Sequence, residues 1–252
     1  MVATFMVNPN ELGAALSNAY NVTYVKNEPL RFDISVELDR NYEKVAGHTE
    51  TVRGFVNLQV IGNCLLVTAL NRLVAIQTSV GINETFTEPM HLSIEYDEAA
   101  ELGKQLEAMK ISDMTSDLGD ELKGGELGVL IEFSDSDYMT VRNGNAVIAD
   151  LPEADQDGVA DAFFQFVRDE LEALETAHYM LPDLGPVAIN ISVLTKLNKI
   201  KPKPRFIDFL ANSEHSGRNV LFKAGSTVQG ILSPIHRSQV KNKNFEDLII
   251  YT

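Results

Sequence analysis

One arrangement recurs along this chain and limits what it can become: a short strand, a helix, then three strands. In the first copy Thr4–Val7 reads as the strand. Asn8-Pro9-Asn10 signals a helix start, and Leu12, Ala15, Leu16 and Ala19 follow at helical spacing. Leu30–Leu38 (LRFDISVEL) alternates apolar and polar residues, the period of a half-buried strand. The stretch GFVNLQV around Phe55, Asn57 and Gln59 predicts another strand. Ile61-Gly62-Asn63-Cys64 predicts a turn, and Leu65–Thr68 with Val74–Val80 continue the strands.

The second copy begins at Met90, with a helix from Asp97 to about Lys110 whose apolar side is Leu102, Leu106 and Met109. Its strands are Leu127–Phe133, Tyr138–Arg142 and Ala146–Ala149, the last two joined by an Asn143-Gly144-Asn145 hairpin turn. The third copy has a strand at Val187–Ile191 and a helix capped by Ser192 and ended by Lys201-Pro202-Lys203-Pro204. Its strands are Phe206–Ala211, Asn219–Ala224 and Thr227–Leu232. Between the second and third copies, Val159, Phe163, Phe164, Phe166, Val167, Leu171 and Leu174 recur at helical spacing among acids, so Glu153–Met180 reads as an acidic amphipathic helix. The expected fold class is α+β. Residues 1–152 are expected to form one domain of two units, and residues 153–252 the acidic helix, a further partial unit and a tail.

Charge is distributed unevenly. The formal net charge of −15 argues against a nucleic-acid binder if taken alone, because phosphate contacts need Lys and Arg. Yet Asp113 to Glu175 holds seventeen acids against three bases, while Val193 to Lys243 holds ten bases against two acids. The chain is long enough, at 252 residues and 44% hydrophobic, to bury a core without staples. No apolar run approaches the roughly 20 residues of a membrane helix, and no secretory signal is visible at MVATFMVNPNEL. The one cysteine, Cys64, sits in an apolar run and fits a reducing compartment, which places the chain in a cytoplasm.

Catalytic signatures are missing. The five histidines show no metal spacing with one another or with Cys64. There is no phosphate-binding loop, dinucleotide fingerprint or G-x-S-x-G elbow. Asp135 and Asp137 read as a solvated hairpin tip, and His236 as a surface or packing residue. A non-enzyme without metal or cofactor is the expectation.

Two segments carry a family likeness. Leu65–Val74 (LLVTALNRLV) resembles the strand–turn–strand of bacterial sliding clamps, where T-D-G-H-R-L-A follows a strand; Thr68, Arg72 and Leu73 match, while Ala69, Leu70 and Asn71 depart. Thr227–Arg237 (TVQGILSPIHR) is similar to the C-terminal strand of the same clamps, where two apolar residues precede M-P-M-R, with Ser233 in place of a methionine. LGVLIEFSDSDYMTVRNGNAVIADLPEAD looks like the second half of a clamp domain, and PVAINISVLTKLNKI like the opening of the last half-domain. The chain has the length of two-domain clamps, as in archaea, eukaryotes and some phages, with the motifs of the bacterial kind. A reduced, phage-type clamp fits that combination, as does a clamp-fold protein that closes no ring.

The resemblance implies clamp-like units with helices on one face of antiparallel sheets, assembled as a homo-oligomeric ring around double-stranded DNA. A DNA polymerase processivity factor of this kind holds duplex without reading its sequence and docks polymerase and clamp loader through short linear motifs of the Q-L-x-L-F type. Lys196, Lys199, Lys201, Lys203 and Arg205, with Lys104 and Lys110 on the second unit's helix, are the expected DNA-facing set. The first helix, by contrast, carries no base. The peptide pocket, on the same likeness, comprises Val52, Thr68, Leu73, Ile231, Ser233, Pro234 and Ile235. A peptide-binding adaptor that does not encircle DNA is the alternative.

Overall fold

The computed structural model describes residues 1–24, 30–33, 49–52, 55–71, 73–109, 128–154, 164–165, 167–169, 171, 189–211 and 220–233. The strand reading beyond Asp33, and the residues Arg72, Lys110, Pro234, Ile235 and 238–252, lie outside that set.

Strand β1 (Val2–Val7) leads into helix α1 (Pro9–Thr23). The Asn8 side chain accepts from the amides of Asn10 and Glu11, and Pro9 fills the first helical turn, where no amide partner is needed. Strands β2 (Leu30–Asp33) and β3 (Thr49–Val52) pair with each other. Two long strands follow, β4 (Phe55–Leu70) and β5 (Val74–Glu95), antiparallel along most of their length. The turn predicted at Ile61–Cys64 is instead a register irregularity inside β4, with Gly62 at φ +57°. A glycine admits that backbone without ending the strand.

Helix α2 (Tyr96–Ala108) follows directly, with Asp97 and Glu98 in its first turn where the helix dipole favours acids. Strands β6 (Val129–Ser134), β7 (Tyr138–Asn143) and β8 (Ala146–Pro152) form a meander, and its hairpin turns at the predicted Asn143-Gly144-Asn145. Helix α3 (Ile191–Leu197) is capped by Asn190, whose Oδ1 accepts from the Ser192 amide at 2.9 Å, so the predicted cap at Ser192 sits two residues late. Residues 189 and 190 are not strand. Strands β9 (Asp208–Ala211), β10 (Val220–Ala224) and β11 (Val228–Leu232) complete the chain's described elements.

Among the described residues, nine strands form one antiparallel sheet in the order β8-β7-β6-β1-β5-β11-β10-β9, with β4 paired along β5. Both predicted domains therefore contribute strands to it. The link between β1 and β5 is narrow: one residue pair, Val7 with Ile82, reinforced by the Met6 amide donating to Asn83 Oδ1 at 2.6 Å.

Helices α1, α2 and α3 share one face. Leu12 and Leu16 of α1, Leu102 and Leu106 of α2, and Val193 and Leu197 of α3 join a single core with Phe5, Ile76, Phe222 and Leu232 of the sheet. Alternation sends Ala75, Leu221 and Ile231 to the opposite face, where they meet Val167 and Leu171. Glycines let α1 and α2 approach closely: a Cβ on Gly13 would lie 2.9 Å from the Gly103 carbonyl oxygen and from Glu107. Asn18, fully buried on α1, donates to the Lys201 carbonyl and accepts from its amide, each at 2.7 Å. That pair of bonds fastens the segment after α3 to the first helix.

Candidate functional site

The two motif segments meet. Strand β11 runs beside the start of β5, pairing Ile231 with Ala75 and Leu232 with Val74. The Ser233 amide then donates to the Leu73 carbonyl at 2.9 Å. The turn presenting Leu73 is built by Asn71. Its Oδ1 accepts from the amides of Leu73 and Val74, at 2.8 and 3.0 Å, and its Nδ2 donates to the carbonyl of Thr23 at the end of α1. Asn71 is thus a departure from the family pattern that does structural work of its own. Tyr96, buried beside it, bonds Thr23 Oγ1 and donates to the Leu70 carbonyl at 3.2 Å.

Thr68 lies deeper on the same side of the sheet as Gln77. Gln77 Nε2 donates to Thr68 Oγ1 at 3.2 Å, and Gln229 Nε2 donates to Gln77 Oε1 at 3.1 Å. Of the predicted pocket set, Leu73 and Ser233 meet through their backbones, Ile231 lies two residues before Ser233 on β11, and Thr68 shares the face of Ile231. Leu73 packs half-buried against the main core, Ile231 is buried on the opposite face, and Ser233 is exposed. The Val52 side chain, Pro234 and Ile235 lie outside the described residues.

Phe164, Val167 and Leu171 of the acidic segment pack on the face opposite α1, α2 and α3. The segment's described residues between 164 and 171 are helical. Phe164 packs with Phe55 and Ala154, while Val167 and Leu171 pack with Ala75, Leu221 and Ile231; Leu70 touches both groups. Arg168 Nη1 donates to Asn57 Oδ1 at 3.1 Å. Beside this segment runs a groove of about 640 Å³, lined among others by Gln59, Gln77, Gln229, Arg168, Leu171 and Lys223. Amide side chains of that kind can bond an extended backbone. Sequence reasoning missed the groove, because strand alternation marks its residues as polar without saying what packs beside them.

Of the predicted DNA-facing bases, Lys196 lies on α3, Lys199, Lys201, Lys203 and Arg205 follow it, and Lys104 lies on α2. Lys199, Lys203 and Arg205 are exposed. Lys196 is half-buried, and its Nζ donates to the Tyr24 carbonyl at 2.6 Å. Burial, then the charge of Lys199, lowers its pKa from the ordinary lysine value. Lys201 pairs with Glu107 of α2 at 2.7 Å. Lys104 is exposed on α2, and Lys110 lies outside the described residues. Elsewhere on α1 and α2 the exposed charged residues are acids: Glu11, Asp97 and Glu101. Positive charge is concentrated on α3 and the turn after it, where mobile side chains can meet phosphates without reading bases.

Among the described residues no cluster of three or more His, Cys, Asp or Glu could hold a metal ion. Likewise, no helix among them is long and apolar enough to cross a membrane.

No family model and no curated protein matches the sequence. Solved structures do match in fold. The DNA polymerase sliding clamp from Bacillus subtilis is 13% identical with a TM-score of 0.51, over 92% of this chain and 64% of that one. The DNA polymerase III subunit beta from Borrelia burgdorferi is 7% identical with a TM-score of 0.55, over 99% and 68%. A Helicobacter pylori beta clamp, described as bound to a DNA ligase peptide, is 10% identical with a TM-score of 0.52, over 99% and 70%. This chain thus spans less than two thirds of the length of the Bacillus clamp. At these identities the likeness concerns architecture, and the chain carries an α+β fold similar to that of bacterial sliding clamps.

Proposed function

We propose that this chain is a reduced, phage-type sliding clamp: a DNA polymerase processivity factor, not an enzyme, that works in the cytoplasm as a homo-oligomeric ring around double-stranded DNA. Residues 1–152 form its two-unit domain, and residues 153–252 supply the acidic helix, a partial unit and the tail. The observation that carries the reading is the Ser233–Leu73 hydrogen bond, which joins the two clamp-like segments at one end of a helix-backed sheet. Thr68, Leu73, Ile231 and Ser233, with Val52, Pro234 and Ile235, receive linear motifs of polymerase and clamp loader. Lys196, Lys199, Lys201, Lys203, Arg205, Lys104 and Lys110 meet phosphates.

The ends of the sheet support association of copies. The β6–β8 end carries Glu132, Asp135, Asp137 and Asp150, and the segment joining α3 to β9 carries Lys199, Lys203 and Arg205. Attraction between these oppositely charged parts of two copies favours head-to-tail contact, and head-to-tail contacts close into rings when the rotation allows.

A second reading is favoured by the acids exposed on α1 and α2 and by the internal bonds of Lys196 and Lys201: a clamp-fold peptide-binding adaptor that does not encircle DNA. Sedimentation velocity combined with primer extension separates the two. The ring reading expects a discrete oligomer that lengthens polymerase products. A monomer at working concentration that leaves product length unchanged removes it.

A further inference from the structure

We infer that the groove of about 640 Å³ on the face opposite α1, α2 and α3 binds a small molecule carrying an oxyanion, a carboxylate or a phosphate group. Its described lining shares no residue with the expected motif pocket or with the DNA-facing set, so the inference is independent of the ring reading. Strand alternation makes the floor polar: Gln77 stands two residues after Ala75, Lys223 two after Leu221, and Gln229 two before Ile231. Gln77 is bonded to Thr68 and Gln229 to Gln77. Gln59 differs. It lines the groove and is only 8% exposed, yet its carboxamide makes no hydrogen bond among the described residues. A buried amide without a protein partner is costly unless something in the cavity bonds it. Its Nε2 carries two N–H donors, which suit an oxyanion.

Charge selects the ligand. Lys223 of β10, Arg168 and His91 of β5 all line the groove. Among the described residues no Asp or Glu lines it, although the whole chain holds 36 of them. Donors that carry positive charge hold oxyanions more strongly than neutral donors do. The volume lies within the range of about 300–1,000 Å³ usual for small-molecule sites. Leu66 and Leu171 give the wall an apolar part for a ligand's carbon skeleton.

The test titrates the full chain with sodium citrate and with sodium pyrophosphate by calorimetry, each against sodium chloride at equal ionic strength. Saturable binding of at least one probe is expected. Citrate alone identifies a carboxylate ligand, pyrophosphate alone a phosphate ligand, and both a site for either oxyanion. Lys223→Gln and Gln59→Leu should each weaken binding by about tenfold or more, the usual worth of a hydrogen bond to a charged group. Gln59→Leu removes an amide that has no protein partner among the described residues, so its thermal melt should match or exceed that of the wild type. It keeps the proposal testable should Lys223→Gln fail to fold. No saturation with either probe, heats reproduced by chloride, or unaltered affinity in a folded variant overturns the proposal.

Discussion

The backbone amide of Ser233 donates to the carbonyl of Leu73 at 2.9 Å, so the last described residue of the chain is tied to the turn between its two longest strands. The contact exists because β11 pairs with the first five residues of β5, from Val228 opposite Thr78 to Leu232 opposite Val74. Disturbing that pairing should therefore loosen the final unit from the rest.

Gly230 is the point where the pairing is least tolerant. A Cβ there would sit 2.2 Å from the Ala75 carbonyl oxygen and 2.5 Å from the Phe222 ring. Gly230→Val should cost about 3 kcal/mol or more, the upper range of overpacking, because one of the obstacles is backbone. A urea titration should show a clearly lower midpoint, and an unchanged midpoint would contradict the register described.

Asn18 is the second fastening. Asn18→Ala leaves the Lys201 amide and carbonyl without the partner they have on α1. The expected loss is about 1–2 kcal/mol, since two part-buried hydrogen bonds are lost. Glu107→Gln, which breaks the partly exposed pair with Lys201, should change stability by less than about 1 kcal/mol. Thermal melts of the two variants should rank in that order.

Much of this frame was legible in residue order. Asn8 and Pro9 announced α1, Asn143-Gly144 announced a hairpin, and the final three strands were bounded to within two residues by the segments that separate them. Features that depend on a distant neighbour were not legible. Gly62 reads as a turn because glycine usually marks one, yet the partner strand β5 carries β4 through it. Asn71 reads as a mismatch to a motif, since its bond to Thr23 joins residues far apart in sequence. At the candidate site, the meeting of Leu73 and Ser233 followed from the likeness. The packing of Val167 and Leu171 on Ala75, Leu221 and Ile231 did not, because an amphipathic pattern states that a face is covered without naming its cover.

Tyr96 makes a pH prediction. Burial pushes its phenol well above the ordinary value of 10, against the opposing effect of its bond to Thr23. The folded state therefore holds this proton where the unfolded state has released it. The stability it contributes is complete below pH 10 and is lost as pH rises beyond, by about 1.4 kcal/mol per pH unit for this one group. Tyr96→Phe should flatten the alkaline limb of a stability-versus-pH curve. A variant as steep as the wild type would contradict the burial described.

The basic cluster makes a salt prediction. Replacing Lys199, Lys203 and Arg205 together by Gln should weaken DNA binding without regard to sequence. The slope of log affinity against log salt should shrink by about 0.9 for each phosphate contact removed. Fluorescence titrations at several salt concentrations measure it. Unaltered affinity and slope would place DNA elsewhere on the molecule or nowhere on it.

The most direct measurement of the ring is topological. The protein is incubated with a nicked DNA circle and passed over a sizing column, then the circle is cut once and the passage repeated. A protein that surrounds duplex stays with the circle and leaves the linear form by sliding off its ends. Equal retention on both forms, or none on either, would contradict the account.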